Sequence, residues 1–310
     1  MKILITGGAG FIGSHVADEY IKAGHTVAVV DNLATEIFEN IHPVAKFYKT
    51  DIKNHHNLDR TFKRFKPDVV IHHAAQAEVR RSVDDPLFDA HTNIIGGLNV
   101  LECARKYQVK KIIYANTGGA LYGEVPPSKL PVKEDYPIYP ASPYGMSKFT
   151  FENYLDLYSR LYGIKYTSLR YANVYGPRQN PKGEAGVVAI FCGMMLAGQT
   201  PKIFGNGRQT RDYVYVGDVA RANLLALKKG DNQKINISTG RQTSINKLFR
   251  LVAQKTTFKK QPLFAPAVRG ELRRACQDFT LAKKILGWEP LMNLDNGVVA
   301  TIEYIAQLKM

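Results

Sequence analysis

Two short patterns in this chain hold residues able to do chemistry. Tyr144 and Lys148 stand four residues apart, so on a helix they share a face. A free phenol has a pKa of about 10. A neighbouring ammonium favours the phenolate and lowers that value. Such a phenolate can take a proton from an alcohol while hydride leaves the same carbon for a nicotinamide. Near the start of the chain, Gly8-x-Gly10-x-x-Gly13 overlaps Gly7-x-x-Gly10-x-x-Gly13. Glycines there let the backbone turn tightly and approach a pyrophosphate, which the free N–H groups of a following helix can hold. Asp31 ends the next apolar run. Its carboxylate can accept both hydroxyls of an adenosine ribose and would repel a 2′-phosphate, so the cofactor expected is NAD rather than NADP.

Both patterns depend on the elements that carry them. Tyr107 and Lys111 repeat the tyrosine–lysine spacing, but there it reads as a helix end running into a strand. Tyr144 is favoured by its place. Ser142 reads as an N-cap and Pro143 as the first helical residue, which puts the phenol in the first turn. Ahead of it lie apolar runs at Lys2–Ile5, Thr26–Val30, Lys46–Lys49, Val69–Ile71 and Lys111–Tyr114. Helical patterns alternate with them at Phe11–Ala23, Asn57–Phe65 and Pro86–Tyr107, and Ser142–Tyr162 leads to a sixth run at Tyr166–Leu169. Continuous apolar strands separated by helices imply a parallel sheet covered on both faces. Such a fold is α/β, a doubly wound Rossmann-type sheet, and its ligands bind at the carboxyl ends of the strands.

After Arg170 the rhythm becomes irregular. Asn206-Gly207 between the runs Ile203–Phe204 and Tyr213–Val216 suggests a hairpin. Helices are expected at Asp218–Lys229, Ser244–Lys255 and Leu294–Leu308, and a strand at Ile235–Ser238. The division expected is an NAD-binding domain over residues 1–171, rejoined by segments near 205–245. A smaller mixed α/β substrate domain then takes 172–310.

Composition agrees with a globular protein. Of 310 residues, 45% are hydrophobic and 22% charged, which excludes disorder and collagen-like repeats. The charge-free apolar stretch from Ala185 to Gly198 is 14 residues long. Spanning a bilayer takes about 18 or more, so it reads as a buried helix and no membrane is implied. The three cysteines offer neither a disulfide framework nor a zinc spacing. No metal is called for, and the expected location is the cytoplasm. Net charge is +15. Nearly all the excess lies in the second half, where 24 Lys/Arg face 10 Asp/Glu over residues 156–310. The cations are spread in pairs without aromatic interleaving. That favours a solvated surface, with a small anionic ligand as the alternative, over nucleic acid.

The ordered motifs resemble one family. TGGAGFIGS at 6–14, DN at 31–32, HHAAQ at 72–76 and NTGGALYGE at 116–124 are followed by YGMSK at 144–148 and LRYANVYGPRQ at 169–179. FGNGRQTRDYVYVGDVA at 204–220 and LGWEP at 286–290 complete the series. Together they are similar to the extended short-chain dehydrogenase/reductases, and among these to the UDP-glucose 4-epimerase group. The resemblance implies that Gly7, Gly10, Phe11, Ile12 and Gly13 meet the NAD pyrophosphate. It puts Asp31 and Asn32 on the adenosine ribose and Asp51 and Ile52 beside the adenine. Ala74, Gln76 and Tyr171 would line the cofactor, with Tyr144 as base and Lys148 as its helper. For a UDP-sugar substrate it implies Asn173, Arg211, Arg269, Glu271 and Ala275. It also implies a homodimer built on the Pro86–Tyr107 and Ser142–Tyr162 helices.

Two departures from the family pattern matter. The family usually has Ser or Thr four residues before the tyrosine of the YG pair, where its hydroxyl meets the reacting oxygen. Here that residue is Gly118, and the hydroxyl stands one earlier, on Thr117. Either Thr117 reaches the substrate through a shift of the loop, or Tyr144 works with less help. The arginine that commonly precedes the family's RxGD/E acid by three residues is replaced by Val268, with Arg269 beside it. Related dehydratases and decarboxylases need an acid after the Thr, whereas Thr117 is followed by Gly-Gly. The activity expected is therefore 4-epimerisation of UDP-hexoses through a transient 4-keto sugar. Ala275 would leave room for an N-acetyl group. The alternatives are another NDP-sugar 4-epimerase, such as one acting on UDP-glucuronate, and a non-catalytic NAD-binding regulator.

Overall fold

Seven parallel strands form the frame on which everything else is hung. The computed structural model describes residues 1–34, 38–181, 186–267 and 272–308. The chain runs β1 (Lys2–Thr6), α1 (Phe11–Lys22), β2 (Thr26–Asp31), β3 (Lys46–Lys49), α2 (His55–Phe65) and β4 (Val69–His72). Next come α3 (Val79–Asp84), α4 (Pro86–Ala90), a π-helical turn over His91–Ile95, α5 (Gly96–Lys106), β5 (Lys111–Thr117), α6 (Pro143–Tyr162) and β6 (Lys165–Tyr171). The remainder holds β7 (Asn173–Tyr175), α7 (Val187–Leu196), β8 (Lys202–Phe204), β9 (Thr210–Arg211), β10 (Tyr213–Tyr215), α8 (Val216–Ala226) and β11 (Gln233–Ile237). It closes with β12 (Thr243–Ser244), α9 (Ile245–Lys255), β13 (Leu263–Ala265), α10 (Thr280–Leu286) and α11 (Leu294–Gln307).

The sheet order is β11-β6-β5-β4-β1-β2-β3. Strands β1, β2, β4 and β5 bury their apolar residues on both faces, as a doubly covered parallel sheet requires. One face packs on α1 and α8 through Val16, Tyr20, Val219 and Ala222; the other packs on α2, α5 and α6 through Phe62, Leu101 and Phe151. A third core joins α7, α9 and α11 through Phe191, Leu248, Phe249 and Val298. The apolar stretch before Gly198 thus supplies α7, a buried helix of this core. No helix among the described residues is long and apolar enough to cross a membrane. All three cysteines are free and buried.

Two expectations need correction. The Asn206-Gly207 turn forms, with Gly207 at φ +70°, but it closes no hairpin. Strand β8 pairs in parallel with β13, and β10 pairs in parallel with β7. The chain between Phe204 and Tyr213 is too long for a two-residue hairpin register, and β9 uses it to pair with β12. The single helix expected over Pro86–Tyr107 is two helices around the π-turn, with α3 in front. Asp85 caps α4 by accepting the Phe88 N–H at 2.9 Å, a start signal that the longer pattern hid.

The catalytic-looking helix α6 is tied to the sheet by one buried carboxylate. Glu152 is 0% exposed. It accepts hydrogen bonds from Asn116 on β5 (2.7 Å) and from Ser168 on β6 (2.6 Å). Two more come from Arg170, at 3.0 and 2.7 Å. Removing one partner of such a cluster leaves a buried charge uncompensated. Glu152→Ala is expected to cost about 3–5 kcal/mol in urea unfolding. The double variant Glu152→Leu/Arg170→Met should cost less than either single change.

Candidate active site

The glycine loop is built as a cradle. Gly7 has φ +70°, and a Cβ there would lie 2.5 Å from the Ala74 nitrogen. A Cβ on Gly13 would fall on the Gly7 carbonyl. Gly10 caps α1 without a side-chain hydrogen bond, so the amides of Phe11 and Ile12 face the loop's open side. At the end of β2, the Asp31 carboxylate accepts N–H groups from Ala9 (3.0 Å) and Leu33 (2.9 Å). Asn32 donates to Asp51 at 3.1 Å, and Ile52 is buried just beyond. Helix-end amides, a tight backbone and a carboxylate that could accept ribose hydroxyls thus lie along the carboxyl edge of the sheet. These residues fit a dinucleotide.

The tyrosine–lysine pair stands at that same edge. Ser142 accepts the Gly145 N–H at 3.2 Å and Pro143 is the first helical residue. Tyr144 is half-buried and lies in the first turn. Its phenol is close enough to the Thr117 hydroxyl at the end of β5 for that group to draw its pKa down, and its backbone N–H donates to Ser82 at 3.1 Å. Burial, with the Asp89 charge, pushes the phenol above its ordinary value, and the Thr117 hydroxyl opposes that. Lys148 is 4% exposed and lies 4.4 Å from the Tyr114 ring. Burial pulls its ammonium down to about 7 against a partial upward pull from Asp89. The other YxxxK does something else. Tyr107 ends α5, and Lys111 donates to the carbonyls of Ala226 (2.6 Å) and Lys229 (2.7 Å) and to Asp231 (2.7 Å).

Sequence patterns had not singled out Asp89, Asn93 or His73, which the structure brings to the site. Asp89, 1% exposed, accepts from Gln76 and Asn93, each at 3.1 Å. Asn93 also donates to Ser147 at 3.1 Å and accepts the Gln76 N–H at 2.8 Å. Their i, i+4 spacing on the inner face of an apolar helix was the available signal. Ala74 donates its N–H to Thr6 at 3.3 Å, next to Gly7. Tyr171 receives the Asn223 amide at 2.8 Å and stacks on His73, with its hydroxyl 3.2 Å from Nε2. Burial takes His73 down to about 3, so the imidazole is neutral.

On the substrate side, a Cβ on Gly119 would lie 3.5 Å from the Asn173 side-chain oxygen and 3.9 Å from Thr117 Oγ1. Asn173, Gly119 and Thr117 therefore adjoin. Arg211 is half-buried and donates to the Thr210 carbonyl at 2.9 Å. Ala275, 6% exposed, is held by its N–H to the Thr210 carbonyl at 3.1 Å. It lines a cavity of about 10 Å³ with Gly118 and Gly119. Arg269 and Glu271 lie outside the described residues. A wider groove of about 900 Å³, lined by Thr243, Lys247, Glu289 and Asp295, contains none of these residues.

A doubly wound sheet with a glycine cradle, an acid at the end of β2 and a tyrosine–lysine pair at its carboxyl edge defines a nicotinamide-dinucleotide enzyme of the extended short-chain dehydrogenase/reductase class. Residues 3–238 match the model of the NAD dependent epimerase/dehydratase family. The UDP-glucose 4-epimerase of Mycolicibacterium smegmatis is 44% identical over 310 residues, 98% of each chain. Among solved structures, UDP-glucose 4-epimerase from Thermotoga maritima with UDP-glucose is 51% identical with a TM-score of 0.97, covering 99% of each chain. The Thermus thermophilus UDP-glucose 4-epimerase complex with NAD is 42% identical with a TM-score of 0.95, covering 99% of this chain and 100% of that one. The chain belongs to the NAD dependent epimerase/dehydratase family and is an epimerase that uses NAD.

The buried Lys148 has a measurable consequence. At pH 6.5 both folded and unfolded chains carry its proton, and burial penalises the folded one. As pH rises from about 7 towards 10.5, the unfolded chain keeps the proton longer, so stability rises with pH. Lys148→Met should raise the Tm of NAD-free protein by several degrees at pH 6.5 in calorimetry. The gain should shrink steadily by pH 10.

Proposed function

We propose that this enzyme interconverts the 4-epimers of UDP-hexoses, UDP-galactose with UDP-glucose and UDP-GalNAc with UDP-GlcNAc. The observation that carries the reading is that Thr117 at the end of β5 and Tyr144 and Lys148 on the first turns of α6 stand together at the carboxyl edge of the sheet. The group combines a hydroxyl, a phenol and a buried ammonium carried by β5 and α6, and Gly118-Gly119 stand where a dehydratase would need an acid. The full-length likeness to a relative solved with UDP-glucose supports the substrate class.

In this reading Gly7, Gly10, Phe11, Ile12 and Gly13 hold the pyrophosphate. Asp31 and Asn32 hold the ribose, and Asp51 and Ile52 flank the adenine. Ala74, Gln76 and Tyr171 line the nicotinamide half. NAD, when bound, supplies the hydride acceptor and donor at C4, through which a transient 4-keto sugar forms and is reduced on either face. Tyr144 takes the proton of the 4-hydroxyl and later returns it. Its phenolate must be made in a buried place, so it depends on opposing help. Thr117 donates to it, and the Lys148 charge favours the anion. Asn173 and Arg211 face the diphosphate. Because the proton and hydride both return, the reaction needs no further acid and regenerates the cofactor. Arg269 and Glu271 keep their proposed place near the diphosphate and sugar.

Ala275 borders Gly118 and Gly119, and in this reading a side chain that small would not obstruct a 2-acetamido group on the sugar. The homodimer belongs to the same reading. Val83, Leu87, Ile95, Met146, Leu161 and Tyr162 are 46–81% exposed along α3 to α6, too much apolar surface for helices facing only water.

Purified protein given UDP-galactose without added NAD should produce UDP-glucose, followed by proton NMR. Tyr144→Phe should lower kcat by about 10²–10⁴-fold. Ala275→Tyr should lose UDP-GlcNAc turnover and keep UDP-galactose turnover. Silence on UDP-galactose with turnover of UDP-glucuronate would select a different 4-epimerase. Silence on both, with NAD bound, would select a non-catalytic regulator. In sedimentation, the wild type should run as a dimer and Leu87→Asp/Ile95→Asp as a monomer.

A further inference from the structure

Gly118 stands where the family pattern has a hydroxyl, and the space beside it is filled from far along the chain. A Cβ at 118 would lie 3.2 Å from both Cγ and Cδ of Gln277, and 3.2 Å from the Arg170 carbonyl oxygen. Contacts that close leave no slack for a side chain. Gln277 Nε2 donates to the Gly118 carbonyl at 3.0 Å. On its other side, the Gly118 N–H donates to the Tyr171 carbonyl at 2.6 Å. The peptide units flanking Gly118 are therefore gripped from β6 and from Gln277 at once.

Gln277 is itself firmly placed. It is 2% exposed, and its carbonyl accepts the Ser238 hydroxyl at 2.8 Å. Its neighbours bracket Val132: the Val132 N–H donates to Cys276 at 3.0 Å, and the Asp278 N–H donates to Val132 at 2.8 Å. The turn it grips carries Thr117. The Thr117 Oγ1 accepts the Ala120 N–H at 3.2 Å, which fixes the side chain whose hydroxyl lowers the Tyr144 pKa.

We propose that Gln277 is a positioning residue for the epimerisation: its amide and methylenes hold the Thr117-Gly118-Gly119 turn so that the Thr117 hydroxyl, and not one at 118, meets Tyr144. The inference rests on the reading that Tyr144 is the base. Gly118 and Gln277 form a matched pair, because a side chain at 118 and a long one at 277 compete for the same space. Ala275 lies on the same extended stretch, so the residue that shapes the sugar pocket and the residue that sets the Tyr144 partner move together.

The test uses the full-length enzyme with its retained NAD. Gln277→Met keeps the length and methylenes but has no N–H to donate; Gln277→Ala removes both. Each should lower kcat on UDP-galactose about ten- to a hundredfold, the scale of a misplaced catalytic group. KM and retained NAD should stay within about twofold of wild type on the same grounds. Thr117→Val should cost much less in the Gln277→Met background than in wild type, because the two residues act as a unit. Equal losses in both backgrounds, or kcat of both Gln277 variants within about twofold of wild type, would overturn the proposal. A wild type inert on UDP-galactose and UDP-glucuronate would instead overturn the reading of Tyr144 on which it stands.

Discussion

The Glu152 carboxylate fixes the geometry on which the site depends. It lies one turn beyond Lys148 on α6, on the face that also carries Tyr144. Its partners are Asn116, the residue before Thr117, and Arg170, the residue before Tyr171. One buried anion therefore sets the register of α6 against the ends of both β5 and β6. Asn116 then passes the constraint on, its side-chain oxygen accepting the Thr117 N–H at 2.8 Å. A slip of α6 by one residue would turn the Tyr144 side away from the strand ends altogether, since successive helical residues point about 100° apart. The ion pair is also closed against water, with Arg170 1% exposed and Glu152 0%, so its alternatives are costly and its geometry is single-valued.

Around that frame the site is electrostatically tense. Burial drives the Tyr144 phenol up and the Lys148 ammonium down, toward two neutral groups. Asp89 sits behind both and acts in opposite senses on their function: it favours the charged lysine and disfavours the phenolate. Its own pKa is raised by burial, against the opposing pull of the Ser147 hydroxyl, the Gln76 amide and Lys148. The imidazoles of His72 and His73 are held neutral by the same burial and by Lys148, so they add no competing positive charge. If Tyr144 is the base proposed above, a cationic ring beside it would oppose the effect of burial and favour its phenolate. Oxidised nicotinamide carries such a charge and its reduced form does not, so the proton affinity of Tyr144 would follow the redox state of what it serves.

How much of this was legible in the sequence follows from how local each feature is. The glycine loop, Asp31 and the Ser142-Pro143 start of α6 are set by neighbours within a few residues, so spacing alone locates them. The strands of the main sheet announce themselves as apolar runs because both faces are buried. The π-turn at 91–95 was not legible: it arises where Asn93 turns inward to meet Gln76 and Ser147, partners on two other elements. The hairpin expected at Asn206-Gly207 failed for a related reason. A turn signal says that the chain reverses, and long-range partners decide what its flanks pair with. Gln277 is the extreme case. Its meaning lies in the missing side chain of a residue 159 positions away, which no periodicity connects to it.

The same long-range logic explains how the second half of the chain reaches the first. Asp212 is 0% exposed. Its side chain accepts the Thr239 N–H (2.9 Å), the Thr239 hydroxyl (2.6 Å) and the Gly240 N–H (2.9 Å). Its backbone carbonyl takes the Asn173 N–H at 2.9 Å. Asn173 follows β6, and Thr239 follows β11, the two strands at one edge of the main sheet. Asp212 thus staples both exits from the sheet to the segment that carries Arg211. Since Thr210 also holds Ala275 through its carbonyl, the proposed diphosphate contact and the wall of the sugar pocket share one short piece of backbone. That piece is referred to the same strand ends as Thr117 and Tyr144. In the proposed reaction, a substrate gripped by its diphosphate would then be presented at a fixed distance from the phenol. The proposed exchange of the sugar's two faces at C4 would call for such an anchor at one end, with freedom to turn at the other.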